Sequence, residues 1–324
     1  MINSIKIMEV KMRYLKNFFQ SAALLVLLFG LFACQEKDNI VTPESGSTFE
    51  KLVLADDDIL SFEPNYNEEE AMSFLGKLSK TIFPVKVGQN MKLVSRTLEV
   101  DSSSETAIGT LTEVFDGKLF IAASFTEPTT PPMFTKIDTV FTKTFSTTIT
   151  RKIKFEKAIS ANAKKNWRIT AVSLPEGGTL NPSVEITQMI VTLPDGDTID
   201  VVNPNDYWLE RFPGIRHQIP VINRGQGVKL TVKVKSLFDG EDFVSLTFGA
   251  VRGQGHHRSK AKFELISSEF DGVYYNKVYE QSWNEVMQPM GHKHAIVNAL
   301  PAASLNDSDA PVEENSWGMP YIIK

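Results

Sequence analysis

The chain contains a single cysteine, Cys34, among 324 residues. One thiol excludes an internal disulfide framework and any cysteine-rich zinc site. Basic residues are not in excess: 34 Lys and Arg stand against 39 Asp and Glu, a formal net charge of −5. A nucleic-acid binder that relies on a strongly basic surface is therefore not expected. The chain has no Gly-x-Ser-x-Gly elbow, no Walker loop and no Gly-x-Gly-x-x-Gly turn, so no hydrolase, nucleotide or dinucleotide motif is present. It also lacks a long hydrophobic run. The stretch Ala22–Ala33 would reach ~18 Å as a helix, short of a ~30 Å hydrocarbon core. At 42% hydrophobic and 23% charged, the composition is that of a globular chain, and the length suggests about two domains.

The N-terminal segment carries the clearest signal. Lys6, Lys11, Arg13 and Lys16 precede the apolar run, which leads directly to Cys34. A basic region, a short apolar region and a cleavage point describe an export signal over residues 1–33. Met12 offers a second possible start for it. The motif Leu31-Phe32-Ala33-Cys34 resembles the bacterial lipobox. That resemblance implies cleavage before Cys34, lipidation of Cys34 with palmitate among its acyl chains, and anchoring in a membrane. A multiply acylated cysteine supplies the two lipid signals that stable anchoring needs. Gln35 stands where Asp would retain the protein at the inner membrane, so the Gram-negative sorting pattern implies the outer membrane, facing the periplasm or the cell surface. Gln35-Glu36-Lys37-Asp38 is similar to the charged surface-export signal of Bacteroidetes lipoproteins.

Residues 34–50, rich in Ser, Thr, Glu and Gly, read as a flexible tether. The acidic run Asp56-Asp57-Asp58 reads as a solvated face or a helix start rather than a calcium site. Asn67 as N-cap, Glu70 three residues on, apolar residues at Ala71, Phe74, Leu75, Leu78 and Ile82, and a terminating Pro84 predict a helix. Beyond it the period is two. Phe141, Phe145, Ile149, Ile153 and Phe155 share one parity of a run long enough to predict a bend or bulge. Asp116-Gly117 and Asp195-Gly196 predict hairpin turns, and Val228 to Val234 alternates cleanly with lysine and threonine.

Pro175, Gly177, Gly178 and Pro182 place a domain boundary between 175 and 183. The expected fold is mainly β. Residues 51–175 are expected to form an α+β domain, an N-terminal helix plus a curved antiparallel sheet, with an all-β sandwich preceded by a helix as the alternative, and residues 183–324 a β-sandwich. The order of helix then strands, closing on Trp167-Arg168-Ile169-Thr170, resembles the cone-shaped domains of the nuclear-transport-factor-like superfamily. The short strands after 183 are similar to immunoglobulin-like sandwiches, without their Cys…Trp…Cys hallmark.

Candidate chemistry is thin. His292 and His294 would point the same way on a strand, but a third ligand is not evident, and neither a metal nor a cofactor is expected. Asp195, Asp197 and Asp200 are accounted for by the hairpin. The segment from Lys143 to Arg168 holds eight cations against Glu156 alone. That could form an anion-binding patch, but edge-protecting lysines explain it better. The loop 203–217 concentrates Tyr207, Trp208, Arg211, Phe212, Arg216 and His217, residue types that dominate binding hot spots. Trp208 and Phe212 are expected to pack inward, with the arginines and His217 rimming them. No catalytic residue is singled out. The expected function is a lipid-anchored, non-enzymatic binding or structural module that contacts an envelope protein or a glycan. The alternatives are a surface glycan-binding or transport accessory, and a hydrolase or isomerase with a pocket in the first domain.

Overall fold

The computed structural model describes residues 47–60, 66–67, 73–74, 83–127, 134–157, 167–211, 219–250, 258–284 and 289–324, all within one compact unit, Ser47–Lys324. The signal segment, Cys34 and the tether as far as residue 46 lie outside the described residues.

Two short helices come first. The Ser47 hydroxyl accepts from the Glu50 N–H at 3.2 Å, and the Glu50 carboxylate accepts from the Ser47 N–H at 2.6 Å. This closed capping box starts α1, Thr48–Leu54, inside the stretch expected to be tether. The Asp56 carboxylate accepts from the Ile59 N–H at 3.0 Å and starts α2, Asp57–Leu60. The acidic run is thus a helix start, as its composition suggests, but Asp58 is buried rather than solvated.

The helix expected from Asn67 to Ile82 is not formed where the chain is described. Tyr66–Asn67 (β1) and Ser73–Phe74 (β2) lie antiparallel on the next strand, β3 (Phe83–Ser102). The remaining residues of that helix fall outside the described set. The edge of β3 away from β4 offers these segments a tertiary partner, which overrides a local helical period.

β3, β4 (Thr106–Ser124) and β5 (Thr139–Lys157) form a long antiparallel meander of 20, 19 and 19 residues. Bulges at Pro84/Lys86 and Leu93/Ser95 bend β3 against β4. The inward parity of β5 holds Ile149, Ile153 and Phe155 fully buried, as its alternation indicates. The irregularity expected within β5 is absent on the β4 side, where register runs unbroken from Thr139 to Glu156. It occurs against β6 (Trp167–Ser173), between Lys154 and Phe155.

Asp116-Gly117 makes no turn and sits in the middle of β4. A Cβ on Gly117 would lie 2.4 Å from the Phe145 ring and 2.9 Å from the Met91 sulfur, so this glycine serves cross-strand packing. Asp195-Gly196 does turn, joining β8 (Val184–Thr192) to β9 (Thr198–Val201) with Gly196 at φ 91°.

The stretch expected to separate two domains contains β7 (Glu176–Gly178). After β9 come a 3-10 turn (Pro204–Asp206), β10 (Trp208–Glu210), β11 (Val221–Ile222), β12 (Gly227–Ser236), β13 (Phe243–Ala250) and β14 (Ser259–Lys262). β15 (Glu264–Phe270), β16 (Tyr275–Asn284), β17 (Gly291–Leu300), α3 (Ala302–Asn306) and β18 (Asn315–Ile323) complete the fold. β7 pairs with β5 on one side and β18 on the other, so both halves enter one sheet. Its glycines permit the approach: a Cβ on Gly177 would lie 1.9 Å from the Thr148 carbonyl oxygen, and one on Gly178 2.1 Å from that of Glu314.

The larger sheet has thirteen strands along the path β1-β3-β4-β5-β7-β18-β17-β13-β14, with β2 on β3, β6 on β5, β10 on β6 and β11 on β18. The smaller sheet runs β15-β16-β12-β8-β9. Among the described residues, pairing is antiparallel except between β11 and β18. Val228, Leu230, Val232 and Val234 of β12 share a core with Ala295, Val297 and Ala299 of β17 and Trp317, Met319 and Tyr321 of β18, so the sheets form two facing layers. The larger layer does not stop at residue 183 but continues through β7 into β5, β4 and β3. It also curls back on itself. On the other face of β17, Ile296 packs with Met91, Phe115 and Ile149, and Leu300 with Val87, Leu119 and Ile121. The curl brings β14 beside β2, at the far ends of the same sheet.

Candidate functional site

A group of buried charge lies where α2 meets the sheet. β10 runs along β6, and the Arg211 N–H donates to the Thr170 carbonyl at 2.7 Å, which sets Arg211 just beyond the strand end. From there its guanidinium donates to both Asp56 carboxylate oxygens, one at 2.9 Å, and to Asp58 Oδ2 at 3.0 Å. His292, near the start of β17, donates from Nδ1 to Asp58 Oδ1. Arg151, on the inward face of β5, donates to the α2 carbonyls of Asp58 and Ile59 at 3.4 and 3.3 Å, and to His294 Nε2 at 3.4 Å. Three strands therefore grip one turn of helix through its side chains and its backbone.

Burial divides the two histidines. His294 is completely buried, whereas the His292 side chain is 40% exposed. The Asp58 hydrogen bond raises the His292 pKa, and the charges of Asp58, Asp57 and Asp56 add to this against some desolvation. Burial holds the His294 pKa well below its usual value, with Arg151 and Arg258 pushing the same way. Burial also pulls the Arg151 guanidinium down to about 10, opposed by Glu113 and Asp56, so it stays charged at neutral pH. The arrangement can bind a helix and exchange a proton at the exposed His292 ring. Among the described residues, no group of three or more His, Cys, Asp or Glu could hold a metal ion.

Of the residues in the 203–217 loop, the structure brings Arg211 into this cluster. Arg211 was expected on a rim, but its side chain is 8% exposed, because two carboxylates from the N-terminal segment fold over it. Tyr207 is half-buried against the core, and that burial raises its phenol pKa. Trp208 is half-buried in β10, and the Lys154 ammonium covers one face of its ring at 4.1 Å. Phe212, Arg216 and His217 lie outside the described residues, as does Cys34. The basic segment does not act as one patch. Lys152, Lys154, Lys157 and Arg168 pair with Asp206, Glu210, Glu105 and Glu156, while Lys143 donates to the Ser304, Asp307 and Ala310 carbonyls around α3.

Sequence reasoning missed Arg151 and Asp58 as members of a cluster. The available signal was weak: Arg151 occupies the inward parity of β5, where its neighbours are apolar. A second buried polar group lies on the inner side of the curl. The Gln89 amide donates to Glu314 at 2.8 Å, and the Asn298 amide donates to Ser316 at 2.7 Å and to Glu314 at 3.5 Å. Compared with known proteins, the chain matches no family model, no curated protein and no solved structure.

Proposed function

We propose that this chain is a lipid-anchored protein of the bacterial cell envelope whose β scaffold serves as a non-enzymatic binding or structural module. The observation that carries the reading is Leu31-Phe32-Ala33-Cys34, which puts the sole cysteine at the end of a short apolar region. Residues 35–46 then separate Cys34 from the capping box at Ser47, a span of at most ~47 Å when extended. Gln35 directs the reading toward the outer membrane. A protein partner is supported at the Ser236 end of the smaller sheet. There Leu237, Phe238, Phe270, Val273 and Tyr274 are exposed on neighbouring turns, with Phe270 and Ser236 both in register with Tyr275. Apolar side chains exposed together mark interaction sites. Glycan binding through Trp208 has less support, since Lys154 already occupies one face of the ring.

The test is metabolic labelling with palmitate, together with intact-mass analysis of the protein extracted from membranes. Wild type is expected to start at Cys34 with acyl mass on it, and Cys34→Ser to lose label and remain unprocessed. A mature N-terminus elsewhere, with no acyl mass on Cys34, would refute the anchor.

A further inference from the structure

We propose that α1–α2 is a clasp whose hold on the sheet is set by pH, closed by Arg211, Arg151 and His292 around Asp56 and Asp58. The inference does not depend on the lipid anchor. Arg211 and Arg151 are permanent ties: both are buried, one gripping the two carboxylates and the other the helix carbonyls. His292 is the conditional tie, because it alone combines solvent access with a hydrogen bond to a buried carboxylate.

The charged and titratable groups of the cluster come from several elements. Asp56, Asp57 and Asp58 act on His292 from the α2 side, and Arg211, at the end of β10, shares Asp58 with it. Arg151 of β5 and Arg258, next to β14, act on the neutral His294, and Glu113 of β4 acts on Arg151. The neighbour of His292 across β18, Ile322, carries no charge. With His292 protonated, Asp58 accepts from two cations, His292 and Arg211. When His292 loses its proton, its hydrogen bond to Asp58 is no longer assisted by a positive charge on the ring.

The signs follow from the directions of the two shifts. His292 has a raised folded pKa, so its contribution is complete below about pH 6.5 and is lost as pH rises through the folded value. His294 has a lowered folded pKa, so neutral His294 is favoured above about pH 6.5 and the fold weakens as pH falls below it. Protonated His294 would stand against Arg151, the residue that holds the α2 carbonyls. Two histidines one pleat apart thus bound the clasp on both sides, and it is tightest near neutral pH.

The experiment is amide hydrogen exchange of the full chain at pH 5, 7 and 9, read as protection factors corrected for intrinsic rates. Peptides covering 48–60 are expected to lose about threefold to tenfold protection between pH 7 and 9, while β12 peptides change little. In His292→Gln that alkaline loss should disappear, because the ring that titrates is gone. Equal loss in His292→Gln, or none in wild type, overturns the proposal. An NMR titration of the His292 ring in the unaltered chain guards against a misfolded variant. A ring that titrates at or below the usual histidine value also overturns it.

Discussion

Lys277 and Asp242 are both completely buried, 2.7 Å apart, and each is tied further: Lys277 to the Gly240 carbonyl, Asp242 to the Ser236 hydroxyl. Burial pushes the Asp242 carboxyl up even beside the ammonium. Removing one member of such a pair strands the other, which costs about 3–5 kcal/mol, whereas an exposed pair is worth about 1 kcal/mol or less. Lys277→Met should therefore lower the urea unfolding free energy by about 3–5 kcal/mol, and Lys152→Ala, facing Asp206 at the surface, by under ~1 kcal/mol. Equal losses would contradict the burial assigned here. These partners were not legible in the sequence. Arg211 and Asp56 are 155 positions apart, and a charge meets its partner at that separation only through the sheet.

Strands were the legible elements, because burying one face of a sheet forces apolar residues onto every second position. β12 and the inner face of β5 follow that rule closely. Glycines were harder to read, since the same residue serves a turn, a crowded crossing or a close backbone approach. The three cases rank by what a methyl group would meet. Gly196→Ala has open space but a positive φ, for about 1–2 kcal/mol. Gly117→Ala meets the tip of the Phe145 ring, which can shift in part, for about 1–3 kcal/mol. Gly177→Ala meets a backbone oxygen that cannot withdraw without parting β5 from β7, so its loss should be the largest of the three. Thermal midpoints of the three variants check the order, and a Gly177→Ala protein as stable as Gly196→Ala would contradict it. At Asn67, Ser73 and Phe74, the described residues of the expected helix, the opposite holds: the local signals favour a helix, but β3 offers a partner that no local pattern encodes.

At the scale of the whole molecule, β7 joins the two halves, and one core spans them from Val53 to Ile323. Cooperative unfolding follows from a shared core. Calorimetry of residues 47–324 should show a single transition with equal calorimetric and van't Hoff enthalpies, and residues 183–324 alone should not fold stably. Two separable transitions, or a cooperative 183–324 fragment, would show that the halves are independent after all. The mainly β character and the long antiparallel strands could be read from alternation, whereas the curvature followed from the resemblance to cone-shaped domains and from the length of the 141–156 run. The joining of the halves could not, because a Pro- and Gly-rich stretch looks the same whether it separates domains or threads between two strands.

The β7 seam also sets an order of events during biogenesis. Gly178 is held by Thr148 on one side and by Asn315 on the other, so one flank of the seam can form early and the other only after residue 315 has been synthesised. Pairings this distant in sequence form slowly, since a long loop must close before any contact rewards it. Until then β7 presents an open edge to any other nascent chain. The curled sheet is therefore sealed last by its C-terminal strand, and the interval before sealing is when a holding chaperone would matter most.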